Sequence, residues 1–146
     1  LNLAFVSGIH APIKYTLHEK NTEKGITEYT SSEPTNDPQW GLLSAINLST
    51  GKIQWQYKTP QPLVGGTLST KGGLVFVGEG NGNFNAIDAA SGALLWQTYI
   101  DAGVNAPPIT YFIDGEQYIA VVAGGNKIMG FSQGDYINVY KLPKTE

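Results

Sequence analysis

Short runs of apolar residues, each about the length of one strand, recur along the chain between glycine-rich turns. Gly73-Leu74-Val75-Phe76-Val77-Gly78 is an apolar run of buried-strand length, and Tyr118-Ile119-Ala120-Val121-Val122-Ala123 is another. Ile53-Gln54-Trp55 alternates apolar and polar, as a strand with one covered face does. Thr50-Gly51, Asn81-Gly82, Ser91-Gly92 and Asp114-Gly115 supply turn chemistry between such runs. This pattern predicts an all-β chain. One stretch breaks it: Ile13 to Trp40 is polar with little periodicity. It reads as a long loop over 13–40, beyond the usual length of a connection. Such a loop could cover a site, pack on a neighbouring chain or lack order.

The strands are organised by a repeat. Ala45-Ile46-Asn47-Leu48-Ser49-Thr50-Gly51-Lys52-Ile53-Gln54-Trp55 aligns with Ala86-Ile87-Asp88-Ala89-Ala90-Ser91-Gly92-Ala93-Leu94-Leu95-Trp96, 41 positions on. That period falls within the ~40–50 residues of propeller blades. Each copy reads as a hairpin, with glycine taking the positive φ of the turn. A further strand near Gly65-Gly66-Thr67-Leu68 completes a four-stranded unit. A third unit is shifted: Val104 to Tyr111, an Asp114-Gly115 turn, Tyr118 to Ala123, and Gly134 to Tyr140, without a closing Trp hairpin. The expected partition is a truncated-blade strand over 1–12, the loop over 13–40, blades with tryptophan motifs over 41–97, and closing strands over 98–146. Leu1 to Val6 reads as a strand already under way, as at a truncated, processed or expression boundary.

Composition narrows the chemistry. The net charge of −3 and pI near 5.3 argue against a nucleic-acid surface. No stretch approaches the ~18 apolar residues of a membrane span. With no Cys, disulfides, thiol chemistry, iron–sulfur clusters and covalent haem are all excluded from this stretch. Two His and no Cys make no credible zinc site. Glu79, Asn81 and Asn83 have partial calcium-loop spacing, but Phe84 replaces the required Gly and Ala90 the bidentate Glu. Gly78-Glu79-Gly80-Asn81-Gly82 lacks the last Gly and the following helix of a phosphate loop.

The hairpin Ala-x-Asp-x-x-Thr-Gly-x-x-x-Trp resembles the tryptophan docking motif of quinoprotein (PQQ-dependent) alcohol dehydrogenases. Thr59 to Phe76, with Pro62-Leu63-Val64-Gly65-Gly66 and Lys71-Gly72-Gly73-Leu74-Val75-Phe76, is similar to that family's Pro-Leu-Trp-Gly-Gly stretch and its continuation. Ala102 to Tyr111 and Asp114 to Val121 resemble its Pro-Pro-x-Thr-Tyr…Asp-Gly-x-Gln-Tyr stretch, and Gly134 to Pro143 its closing strand. The resemblance implies the C-terminal wedge of an eight-bladed β-propeller, a partial propeller of about two to three four-stranded blades. It implies PQQ as cofactor, with Ca²⁺ held by residues outside this chain. It also implies a small alcohol substrate, a cytochrome or quinone electron acceptor, and a periplasmic location. Its partners would be the remaining blades or another copy of the chain.

Under that resemblance the recurring Trp55 and Trp96 are scaffold packed between blades. Trp40, outside the repeat, stays open. The cofactor-binding candidates are Val64, Gly65, Gly66, Gly125, Asn126 and His10. Val64 stands where the family has a cofactor-contacting Trp; it can line an apolar slot but has no indole N–H. Gly65 and Gly66 permit close backbone approach. Asn126 follows Gly124-Gly125 at a second family contact, where it either binds a PQQ carboxylate or serves as an αL turn residue. His10 stands where the family presents a polar group, either as a donor or as a structural residue. The family's catalytic Asp, its metal ligands and its Arg match nothing here, so no catalytic or metal residue is expected and the isolated chain should be inactive. The competing reading is a non-catalytic propeller scaffold that keeps the blade signatures.

Overall fold

A computed structural model describes residues 2–18 and 28–142. The middle of the expected loop, 19–27, and the end of the expected closing segment, 143–146, lie outside the described residues. Twelve strands and no helix make up the described chain. β1 (Leu3–His10), β4 (Trp40–Asn47) and β5 (Ile53–Thr59) form the first sheet, in the order β1-β4-β5. The second sheet is a complete four-stranded meander: β6 (Thr67–Ser69), β7 (Leu74–Gly78), β8 (Asn83–Asp88) and β9 (Leu94–Tyr99). β10 (Ile109–Ile113), β11 (Glu116–Ala123) and β12 (Tyr136–Lys141) make the third. All pairings are antiparallel. Among the described residues, one sheet has four strands and its two neighbours have three.

The second sheet is the centre of the molecule because its strands alternate apolar residues to both faces. Val75, Val77, Ile87 and Ala89 pack with Leu43 and Leu63, joined by Phe5, Trp55 and Tyr57 of the first sheet. On the other face Phe76, Phe84 and Ala86 pack with Ile119, Val121 and Ala123 of the third sheet. The same cluster takes in Ile100, Ala102 and Val104 of the β9–β10 connection. Three sheets stacked face to face around two apolar layers are the blade packing that the repeat predicts.

The repeated turns have matching chemistry. Asn47 Oδ1 accepts hydrogen bonds from the backbone N–H of Ser49 (3.0 Å) and Thr50 (3.1 Å). Asp88 Oδ1 accepts from Ala90 (3.1 Å) and Ser91 (2.7 Å). Gly51 and Gly92 then take φ of 67° and 77°. Trp55 docks across the blade boundary, its Nε1 donating to Ala89 O at 3.1 Å.

The expected loop over 13–40 is corrected in part. β2 (Ile13–His18) and β3 (Glu28–Pro34) pair as an antiparallel hairpin with a bulge at Thr16/Leu17. Its described side chains from Ile13 to Thr16 and Ser31 to Glu33 are exposed on both faces. With these side chains exposed there is no period-two signal among them, although Tyr15 and Thr16 suit a strand.

Candidate functional site

Antiparallel pairing puts the ends of β1, β5, β7, β9 and β11 on one end of the stack. The connections 60–66, 79–82, 100–108 and 124–135 therefore share an end face with the β2–β3 excursion. Backbone hydrogen bonds stitch these loops together. Val104 N donates to Glu79 O (3.0 Å), Ile100 N to Gly82 O (2.8 Å), Gly103 N to Ser132 O (2.9 Å) and Gly125 N to Gly103 O (2.9 Å).

Two of the sequence-predicted segments meet through this weave. Gly65 lies against Asn105, so close that a Cβ would sit 2.9 Å from the Asn105 carbonyl oxygen; Gly66 meets Pro107 in the same way. The close approach that the Gly-Gly pair permits is thus to the neighbouring loop. Ser7 Oγ of β1 donates to Gly65 O at 2.9 Å, fixing the segment from the other side. Val64 keeps about a third of its surface open (36%). Gly125 reaches the same centre through its bond to Gly103. Gly124 borders open space: a methyl group there would have only Gly134 O within 4 Å.

Asn126 serves the turn, but not in the conformation expected of it. It is not in the left-handed region, which Gly125 occupies instead at φ 74°. Its Oδ1 accepts from Met129 N at 3.1 Å, capping the 126–129 turn, and its backbone bridges to Phe131. The amide Nδ2 has no partner among the described residues and is left as a donor. Lys127, exposed at the next position, adds a positive charge to the turn.

His10 is not brought to this centre. It pairs with Trp40 across β1 and β4, and the two rings stack at 3.5 Å and 16°. Lys58 Nζ lies 4.6 Å from the Trp40 ring centroid. Leu42 and Ser44 continue the Trp40 face, opposite to buried Leu43 and Ala45. His10 and Trp40 therefore lie on the face of the first sheet turned away from the second sheet.

Two residues at this end are missing from the sequence-predicted set. Glu79, set aside with the calcium-loop spacing, is 2% exposed. Asn81 Nδ2 donates to its Oε2 (3.1 Å), Asn85 Nδ2 to its Oε1, and Gln97 Nε2 to Asn85 Oδ1 (2.9 Å). The other is Asn105, against Gly65 and Gly103, whose Nδ2 is sealed from solvent without a hydrogen-bond partner among the described residues. Its signal was faint: one amide in the otherwise apolar Val104-Asn105-Ala106-Pro107. Among the described residues no group of three or more His, Cys, Asp or Glu is placed to hold a metal ion.

A cleft of about 320 Å³ opens between the β2–β3 hairpin and residues 128–130. Ala11, Ile13, Ile128 and Met129 make its apolar walls, with Ser32 and Gln39 as polar lining. A second, apolar groove of about 330 Å³ lies between the second and third sheets along Leu95, Trp96, Tyr140 and Leu142, at the outer strands and away from this end.

Residues 11–119 match the PQQ-type family described as glucose/ethanol/alcohol dehydrogenase, beta-propeller domain. The chain belongs to this family. Quinoprotein alcohol dehydrogenase PedE of Pseudomonas putida is 37% identical over 142 residues, covering 95% of this chain and 22% of that protein. A quinoprotein ethanol dehydrogenase of Pseudomonas putida is 35% identical over 142 residues, covering 95% of this chain and 23% of that protein. A europium-containing methanol dehydrogenase superposes with a TM-score of 0.70 at 28% identity, over 84% of this chain and 23% of that one. The quinohemoprotein alcohol dehydrogenase from Comamonas testosteroni gives 0.75 over 99% of this chain and 25% of that one; at 23% identity it speaks for the fold alone. The chain thus spans roughly a fifth of the length of these curated relatives. Together with the stacked sheets, these matches establish an all-β, partial quinoprotein propeller.

The end face suits part of a PQQ site. A flat quinone bearing carboxylates needs an apolar wall and N–H donors. Val64, partly exposed, could serve as such a wall, and the Asn126 Nδ2, without a partner among the described residues, as such a donor.

Proposed function

We propose that this chain is the C-terminal wedge of a PQQ-dependent alcohol dehydrogenase, supplying part of the cofactor rim and closing the propeller. The observation that carries the reading is the convergence of 64–66 and 124–126, far apart in sequence, on the shared loop 103–105. Bound PQQ would supply the two-electron acceptor for oxidation of an alcohol to an aldehyde or ketone. Val64 would shield one side of the quinone from water, and Asn126 Nδ2 would hold a carboxylate while its Oδ1 keeps the turn fixed. The cleft between the β2–β3 hairpin and residues 128–130 would admit the carbon chain of a small alcohol. His10, stacked on Trp40, would contact the cofactor only after leaving that stack.

The proton-accepting base and the Ca²⁺ ligands would come from blades outside this chain, so the wedge alone would not turn over alcohol. The electrons would leave to a cytochrome or quinone, in the periplasm. The deciding experiment titrates the wedge, assembled with its remaining blades, with PQQ and Ca²⁺ and then follows dye-coupled alcohol oxidation. Quinone absorbance on the protein with turnover supports the reading. Absence of both signals would overturn it in favour of a non-catalytic propeller scaffold.

A further inference from the structure

We propose that Ile13, Ile128 and Met129 are specificity-determining residues, forming a wall that selects alcohols with an apolar tail over polyols. The inference rests on the PQQ reading above and deepens it. The chain departs from its own blade pattern in two places. β7 and β8 of the second sheet are joined by the short turn 79–82. The equivalent strands of the first sheet, β1 and β4, are joined by 11–39, and those of the third, β11 and β12, by 124–135. Both enlarged connections leave from the end face that carries 64–66 and 124–126. They meet: Ala11 and Ile13 of one line the same cleft as Ile128 and Met129 of the other, and the short turn of the second sheet lends it no residue.

The core does not account for these apolar side chains. Ile13 is 48% and Ile128 85% exposed, and neither joins the two apolar layers between the sheets. Exposed apolar carbon converging on a cleft suits a ligand with an apolar part. At about 320 Å³ the cleft falls at the small end of the roughly 300–1,000 Å³ of ligand sites. One wall is tied to the rim: Met129 N donates to Asn126 Oδ1 at 3.1 Å, so the turn that offers Asn126 Nδ2 also carries Ile128 and Met129. No charged side chain lines the cleft, and Ser32 and Gln39 are its only polar ones. A polyol would give up water from several hydroxyls there and regain few hydrogen bonds, a penalty that an alkyl tail does not carry.

The test measures kcat/KM for ethanol, 1-hexanol and glycerol in the assembled dehydrogenase, with the PQQ dissociation constant taken from quinone absorbance. The parent is expected to prefer 1-hexanol over glycerol by about 100-fold or more. Ile13→Ser and Ile128→Ser should each lower the hexanol-to-ethanol ratio about 5- to 20-fold, through lost apolar contact with the tail, while PQQ binds as before. Ile113→Ser makes the same change at an exposed residue on the opposite end of the third sheet and should leave the ratio where it was. A parent that prefers glycerol, or a ratio that the cleft variants move no further than Ile113→Ser does, would overturn the proposal and leave the cofactor reading intact. A parent that takes up no PQQ would overturn both.

Discussion

Glu79 is a carboxylate buried among neutral partners, held by the side-chain amides of Asn81 and Asn85, with Gln97 behind them. Buried charge is tolerable when its lone pairs are filled in this way. Its field reaches Tyr57 of β5, whose hydroxyl pKa is raised first by burial and then by the Glu79 charge. A tyrosine with a raised folded-state pKa is held in its neutral form at no cost below the ordinary value of 10.0; as pH rises past that value, the unfolded chain ionises first and stability is lost. Tyr140 is raised too, by burial. Stability should therefore fall above about pH 10. Tyr57→Phe should flatten that fall in part, read from urea midpoints in neutral and strongly alkaline buffer. An undiminished alkaline loss in the variant would show that Tyr57 is not a source of it.

The two repeated hairpin turns separate local from interfacial cost at the scale of the element. Gly51 and Gly92 close equivalent turns with similar positive φ, but nothing lies within 4 Å of a side chain at Gly51. At Gly92 a Cβ would meet the Trp55 ring at 2.7 Å. Gly51→Ala should cost about 1–2 kcal/mol, the backbone term alone. Gly92→Ala should add about 1–3 kcal/mol by levering Trp55 from the Ala89 carbonyl, seen as a larger drop in melting temperature. Equal costs would mean that the docked Trp does not hold the sheets together. Trp96 repeats Trp55 in sequence, yet it is 41% exposed, edge-on to Phe84 and Tyr140, with no described acceptor for its Nε1. Its docking turn would belong to a fourth strand of the third sheet, which the described residues lack.

At the scale of the molecule, the third sheet turns Ile109, Val122, Ile137 and Val139 outward, with Ile137 75% exposed. Among the described residues the outer edge of β12 is unpaired, as is that of β1. An open apolar face beside a free strand edge favours association. The chain by itself should therefore self-associate with rising concentration in light scattering, and Ile137→Lys with Val139→Lys should shift it toward monomer. A monomeric parent at high concentration would count against this. In the assembled propeller the same face would be covered by the next blade.

The repeat, its turn chemistry, the scaffold role of Trp55 and the all-β class were legible in the sequence because each depends on residues within a few positions of one another. Period-two alternation and Asx-Gly turns act locally, and a fixed spacing reproduces them blade after blade. The hairpin of β2 and β3 was not legible, because its described side chains are exposed on both faces and so leave no alternation. The tertiary structure alone decided which end-face residues meet. Ser7 meets Gly65 across 58 positions, Gly65 meets Asn105, and Gly103 meets Gly125. It likewise sent His10 to Trp40 and buried Glu79. Such contacts arise from stacking whole sheets, where partners are set by blade geometry and loop length, and no local pattern records who the neighbour will be.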